Sequence, residues 1–261
     1  AGNQWYKDNV LQVLETNDNI VVTTSGSYTV VYTALGCPSA ASAAEVVTVN
    51  DNPTATITGT ASFCTGGSTT LSAASSTAGS GTISTYQWYE GANPLGTSST
   101  QVVTVAGSYT VVVTNSNSCS TTSAATSVTE NAVPTAIATA SCLTLTPGQS
   151  TTLDASTSTA GSGTITTYQW ILDGSTNVGT NSATYATTVA GSYTVTVTNS
   201  NGCSTTSAAV VVANLSGPLA GGSSYNIPGT LCGEFLSIAG AVSYLNTNGV
   251  NGTGMVSFNI A

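Results

Sequence analysis

The densest group of potential ligands in the chain is Asp8, Glu15 and Asp18, with Asn17 and Asn19 between them. Carboxylate and carboxamide oxygens in a loop are hard ligands that suit Ca²⁺. Their spacing does not follow the EF-hand loop, so a solvated loop is expected there rather than a metal site. Asp154 and Asp173 fall at turn positions, where a carboxylate caps nearby backbone N–H groups. Serine and threonine are abundant, but a hydroxyl nucleophile needs an adjacent base. The chain has no histidine, and Lys7 is its single basic residue. Glycoside hydrolysis needs two carboxylates about 5–10 Å apart across a cleft, and no pair in the repeats suggests one. The chain is therefore read as a non-enzyme that needs no cofactor. Six cysteines stand at 37, 64, 119, 142, 203 and 232. No two are close enough for a zinc knuckle, so disulfides and an oxidising compartment are expected.

Composition removes further classes. The net charge is -9 over 261 residues. A nucleic-acid binder must neutralise phosphates, and an anionic membrane surface makes the same demand, so neither partner fits. No run of 18 apolar residues exists to form a bilayer-spanning helix, so the chain is not expected to be membrane-embedded. Charged residues make up 4% of the chain and hydrophobic residues 40%. The apolar residues recur with period 2, which points to folded β structure rather than disorder.

Those residues are positioned by a repeat. GSYTVVYTALGCPSAASAA at 26–44 returns as GSYTVVVTNSNSCSTTSAA at 107–125 and as GSYTVTVTNSNGCSTTSAA at 191–209. Trp5, Trp88 and Trp170 keep the same step. FCTGGSTTLSAASSTAGSGTISTYQWYEG at 63–91 matches LTPGQSTTLDASTSTAGSGTITTYQWILDG at 145–174. A period near 82 residues suits one small β-sandwich and exceeds a solenoid turn. Tyr193, Val195 and Val197 alternate with threonines, as do Tyr109, Val111 and Val113, and the same alternation places Tyr28, Val30 and Tyr32 on one face. That is the pattern of a half-buried antiparallel strand. Trp5, Trp88, Trp170, Tyr28, Tyr109 and Tyr193 are the expected core aromatics, since a tryptophan on the preceding strand plugs a sandwich.

The expected division is 1–49, a partial sandwich lacking its first strands; 50–131 and 132–213, two sandwiches of roughly seven strands each; and 214–261, a linker with a further segment. Cys64 and Cys142 hold matching places early in their repeats, and Cys119 and Cys203 matching places late. Pairing within repeats is expected, Cys64 with Cys119 and Cys142 with Cys203, each stabilising its domain by roughly 4 kcal/mol. Cys37 and Cys232 are left unpaired within the chain. The partner of Cys37 is expected some 19 to 23 residues upstream of residue 1, in a longer polypeptide. The rival is a head-to-tail fibre bridged by Cys37 and Cys232 of neighbouring copies.

The motifs Cys…Gly-Gly-Ser-x-Thr-Leu, Tyr-Gln-Trp, Gly-Ser-Tyr-Thr-Val-x-Val-Thr-Asn and Gly-Cys-Ser resemble PKD-like and Ig-like repeats. Such repeats recur in very long surface proteins of the Bacteroidota exported by type IX secretion, gliding adhesins among them. The resemblance covers about residues 1–213. Where the PKD pattern carries Gly-Asp-Gly, this chain has Leu172-Asp173-Gly174 and Tyr89-Glu90-Gly91.

After Asn214 the repeat stops. Phe235, Ile238, Val242 and Leu245 are spaced as one helix face, and Asn248-Gly249 supplies its stop signal. The segment GGSSYNIPGTLCGEFLSIAGAVSYLNTNGVNGTGMVSFNIA resembles the helix-capped start of a right-handed parallel β-helix. The fold class expected is thus all-β: tandem Ig-like or PKD-like sandwiches followed by that cap. The function expected is structural and adhesive, at the cell surface or otherwise extracellular, with the repeats as a stalk or filament shaft. The alternatives are accessory modules of a carbohydrate-binding or carbohydrate-cleaving protein, and a self-assembling fibre subunit. Surface glycans or other copies of the chain are the partners considered.

Overall fold

The computed structural model describes residues 2–13, 16–216, 219–220, 224–227, 238–251 and 256–260. Among them the chain is β apart from one helix, Ile238–Asn248. It divides into two compact units: Ala1–Ala61 with Thr69–Val128, and Ser62–Ser68 with Thr129–Ala261.

One strand pair recurs in every repeat. Gly2–Lys7 lies antiparallel to Gly26–Ala34 with Trp5 opposite Val30. Ile83–Glu90 lies against Gly107–Asn115 with Trp88 opposite Val111. Ile165–Leu172 lies against Gly191–Asn199 with Trp170 opposite Val195. A slip of one residue would turn every tryptophan to the other face, so burial of the indole holds the register. A second sheet completes the two later repeats. Thr69–Ser72 pairs with Thr100–Val103, and Thr151–Asp154 pairs with Thr139–Ala140 and Thr184–Thr187. The all-β sandwich class expected from the period-2 pattern is the one observed.

The core follows from the alternation. Leu71, Trp88, Val111 and Val113 are fully buried in one repeat, and Leu153, Trp170, Tyr193, Val195 and Val197 in the next. Tyr28, Tyr109 and Tyr193 are buried too. Each donates its hydroxyl to the carbonyl four residues upstream: Thr24 at 2.8 Å, Val105 at 2.7 Å and Val189 at 2.8 Å. A buried phenol thereby satisfies its polar end and pins the turn before its own strand. The indole N–H groups of Trp88 and Trp170 donate to Ser98 O and Ser182 O.

The first repeat departs from its expected core. Trp5 is half-buried, and its N–H donates to Asn17 O at 3.0 Å. Val30 is half-buried and Tyr32 is 51% exposed. Among the described residues, 2–49 build the tryptophan–tyrosine sheet alone, with no second sheet of their own to cover that face.

Residues 50–131 and 132–213 carry no helix and hold eight and nine strands, not seven. One strand beyond seven in each repeat arises where its last return is broken in two, and residues 132–213 add Thr139–Ala140. Gly107–Asn115 pairs first with Ser120–Thr122 and then with Thr126–Asn131. At the break Val111 N–H donates to Ser123 Oγ at 3.1 Å, and Ser123 N–H donates to Val111 O. Ser207 does the same at Val195, and Ser42 at Val30. The hydroxyl replaces a missing rung, so no buried N–H is orphaned at the irregularity.

Two further strands run parallel to the end of their own repeat. Ser62–Cys64 lies beside residues 129–131, with Cys64 opposite Asn131. Thr144–Leu145 lies beside residues 213–214.

The helix buries a different face from the one its spacing predicts. Ala241 and Tyr244 are buried, with Leu215, Leu245, Val256 and Phe258 packed against them. Val242 is 46% exposed, and Phe235 lies outside the described residues. Small Ala241 allows close approach while Tyr244 supplies the area, and a period count weighted on branched residues misses that pair. Gly249 ends the helix in the left-handed region, its N–H donating to Leu245 O. Parallel pairs flank the helix, Leu219–Ala220 with Val250–Asn251 and Ser224–Ile227 with Ser257–Ile260.

Burial of the indoles sets one expected outcome. Trp170→Ala should destabilise its sandwich by about 3–5 kcal/mol, as large aromatic deletions do. Trp5→Ala should cost less, because much of that ring already meets solvent. Hydrogen exchange of the Gly26–Ala34 and Gly191–Asn199 amides in each variant, read separately, measures both.

Candidate functional site: the linker cradle and its disulfide

The two strings that repeat with least change, TAGSGTI and the hairpin after the tyrosine strand, converge on the linker that enters each repeat. The organising residue is an asparagine at the end of the tyrosine strand. Asn115 and Asn199 are each 1% exposed. Asn115 Nδ2 donates to Asp51 O at 3.1 Å and to Ala78 O at 2.9 Å. Its Oδ1 accepts from Asn117 N–H and Cys119 N–H, both at 3.0 Å. Asn199 repeats the set with Ala132 O, Ala160 O, Asn201 N–H and Cys203 N–H. A carboxamide has two donor hydrogens and two acceptor lone pairs, so every one is used in both repeats.

The glycine turn closes the other side. Asp51 N–H donates to Ser80 Oγ at 2.8 Å, and Ala132 N–H to Ser162 Oγ at 2.8 Å. Gly79 and Gly161 have φ of 66° and 68°. A Cβ at either would stand 2.3 Å from Asn52 O or 2.2 Å from Val133 O. Only glycine lets the linker backbone approach so closely in that conformation. Pro53 and Pro134, one or two residues on, are buried. The linkers carry a proline each and are hydrogen-bonded on both sides.

At this cradle the expected cysteine pairing is overturned. The disulfide joins Cys64 to Cys203, 139 residues apart and in different sequence repeats. Cys119 is free and half-buried, and Cys37 is free and exposed. Cys142 is disulfide-bonded as well, but not to Cys203; Cys232 lies outside the described residues. The cause is which end of a repeat each cysteine occupies. Cys64 stands opposite Asn131, the last residue of its repeat. Cys119 stands at the other end of that repeat, its sulfur 3.9 Å from Asn50 O. Cys203 lies the same distance from Asn131 O. Asn131 thus brings Cys64 and Cys203 together, while Cys64 and Cys119 face opposite linkers. Trp88 and Trp170 are buried as expected, but not beside a disulfide internal to their repeat.

The acidic group near the start does not form a ligand set in the described residues. Asp8 Oδ1 accepts from Ser27 N–H at 2.9 Å, and Asp18 Oδ1 accepts from Asn3 Nδ2 at 3.0 Å. Glu15 lies outside the described residues. Asp8 matches Asp173, whose Oδ1 accepts from Ser192 N–H at 2.8 Å. Both aspartates have φ near 50° and pin the start of the tyrosine strand. Asp154 caps Ser156 N–H at 2.8 Å, and that bond holds its carboxyl below the usual carboxylate range. Burial, with Glu90 nearby, raises the Tyr109 phenol above its ordinary value. Among the described residues no three His, Cys, Asp or Glu side chains gather to hold a metal. The hollows lined by Tyr185 and Val189, by Leu143 and Val211, and by Glu90 and Gln101 hold one carboxylate between them, Glu90.

Asn115, Asn199, Ser80 and Ser162 were not among the expected site residues. Their signal was present as near-identity of the strings that carry them, read there as turn chemistry.

A profile of the PKD domain matches residues 131–213. No curated protein matches the chain. Among solved structures, the fibronectin(III)-like modules of CbhA from Clostridium thermocellum are 18% identical over 61% of this chain and 95% of that one, with a TM-score of 0.38. The eight N-terminal Ig domains of the Down Syndrome Cell Adhesion Molecule are 14% identical over 86% and 34%, with a TM-score of 0.44. Extracellular domains 3–5 of Drosophila OTK are 18% identical over 82% and 85%, with a TM-score of 0.37. At those scores nothing about function follows from the likenesses. The chain is all-β with sandwiches in tandem, and residues 131–213 of it match the PKD domain. Domains of this kind with a disulfide are typical of extracellular proteins. No helix among the described residues is long and apolar enough to cross a membrane.

Two outcomes test this geometry. Asn199→Ala removes a carboxamide that is 1% exposed and leaves two carbonyls and two N–H groups without it, and is expected to cost about 3 kcal/mol. Asn201→Ala, whose side chain is exposed, should stay within about 0.5 kcal/mol; denaturant titration compares them. Tyr109 has its phenol pKa raised by folding, so its contribution is complete below the ordinary phenol value of about 10. It fades as pH climbs from there through the folded value. Stability measured from pH 9 upward should fall less steeply in Tyr109→Phe than in the parent.

Proposed function

We propose that the chain is a load-bearing part of an extracellular surface protein, its sandwiches serving as a shaft that presents a binding region elsewhere. One observation carries the reading: the disulfide ties one repeat to the next instead of closing either upon itself. A disulfide within a small domain stabilises that domain. A disulfide across repeats gives tension a covalent route that bypasses the residues between its ends. The doubly clamped linkers support the same role, since each of the two repeats holds the entering chain by one carboxamide bond and one serine hydroxyl. The parallel strand pairs around Ile238–Asn248 support a β-helix-like cap over 214–261. The expectation of type IX export and of a gliding-adhesin relationship belongs to this proposal.

No catalytic role is proposed. Trp88 and Trp170 are 0% exposed, which removes both as platforms for sugar stacking. The chemistry of a shaft fits the surface, where Thr196 and Thr206 hydroxyls pair at 2.8 Å across neighbouring strands and charge is sparse.

Extension of single molecules held at their two ends tests the load route. The disulfide spans 139 residues, and an extended chain covers about 3.3–3.6 Å per residue. Fully reduced chains should therefore stretch roughly 460–500 Å further than oxidised ones. Equal extension in both states would remove the load-bearing role.

A further inference from the structure

The surroundings of Cys119 duplicate those of Cys203, and Cys203 is bonded. Each sulfur lies 3.9 Å from the carbonyl of the asparagine at the junction with the preceding repeat, Asn50 or Asn131. Each N–H donates to the buried asparagine four residues earlier. Each carbonyl accepts from that asparagine's backbone N–H at 2.9 Å. The residue before each has positive φ, Ser118 at 63° and Gly202 at 78°. What differs is the neighbour. At Asn131 the segment Ser62–Ser68 runs alongside, and Thr65 N–H donates to Asn131 O at 2.9 Å. At Asn50, residues 48–50 belong to no strand, although Glu45–Val47 just before them pairs as Thr126 to Val128 do in the next repeat.

We infer that Cys119 and the edge at residues 48–50 form the receiving half of a repeat-to-repeat disulfide. The occupant is an extended cysteine-bearing segment of the Phe63-Cys64-Thr65-Gly66-Gly67 type, lying parallel to that edge. It belongs to another repeat of the same polypeptide, because the Cys64 of a second copy is already bonded to its own Cys203. Cys37 is not equivalent. Ala34 stands where the carboxamide should be, and Leu35-Gly36 make a shorter turn, so nothing preorganises its sulfur. The inference goes beyond the shaft reading and does not depend on it: thiol mapping and extension under load fail separately.

Each bond formed takes two thiol protons and two electrons, which glutathione disulfide accepts on becoming two glutathione thiols. The first test incubates the whole chain with a synthetic peptide of residues 61–68 in a glutathione redox buffer and maps adducts by mass. The peptide should load Cys119 about tenfold over Cys37, and a Thr65→Pro peptide, which lacks the N–H for Asn50 O, should lose that preference. Equal loading of the two cysteines, or equal performance by the Thr65→Pro peptide, overturns the inference. The second test maps Cys119 in native, non-reduced material. A bond to a segment of the same polypeptide leaves the mass of the reduced chain intact and identifies the in-chain source. A mass that halves on reduction shows a bond to a second copy and overturns the inference. A free Cys119 thiol there overturns the inference.

Discussion

A fully used carboxamide is the constraint on which the repeats depend. Asn115 and Asn199 sit where a strand ends, a hairpin turns and a linker arrives, and each joins all three through four hydrogen bonds. Buried amides are tolerable only when every donor and acceptor is met. The condition therefore propagates outward. The linker must present Asp51 O or Ala132 O, the turn must present Ala78 O or Ala160 O, and the hairpin must fold back so that two N–H groups point inward. Glycine at 79 and 161 follows, because the turn cannot reach the linker with a side chain in the way. The most nearly invariant strings in the chain are thus those that meet at one amide.

The same constraint explains the cysteine arrangement. The hairpin that Asn199 folds back carries Cys203 to the linker, and the parallel strand Ser62–Cys64 carries Cys64 to the same linker from the other side. The covalent bond is laid over a contact that hydrogen bonds already define. In the chain-entropy picture a loop of 139 residues is worth roughly 5 kcal/mol, more than the short intra-repeat loops would contribute.

Much of the fold was legible. The period near 82, the alternation around Tyr109 and Tyr193 and the positions of Trp88 and Trp170 follow from residue types that must face inward, and they are found so. Turn aspartates Asp154 and Asp173 were legible for the same local reason. The disulfide was not, because matching places in two repeats say nothing about which end of a sandwich a cysteine occupies; that depends on Ser62–Cys64 pairing parallel with the last strand. Asn115 and Asn199 were hidden by their type, since an asparagine between a threonine and a serine reads as a solvated turn until its burial is known. The helix face was misplaced because Ala241 buries completely while the larger Val242 does not. The first repeat was misjudged at Trp5, Val30 and Tyr32 because sequence alternation marks a face without saying whether another sheet covers it.

The staggered wiring of Cys64 to Cys203 also bears on damage. Residues 65–202 lie inside one covalent ring closed by sulfur, so a single backbone scission anywhere among them opens the ring without separating its ends. Two cuts would be needed to release a fragment from that stretch, and none would part residue 1 from residue 261 while the sulfur bond held. For a protein exposed outside a cell, beyond the reach of resynthesis in place, such redundancy turns an otherwise severing event into a local lesion.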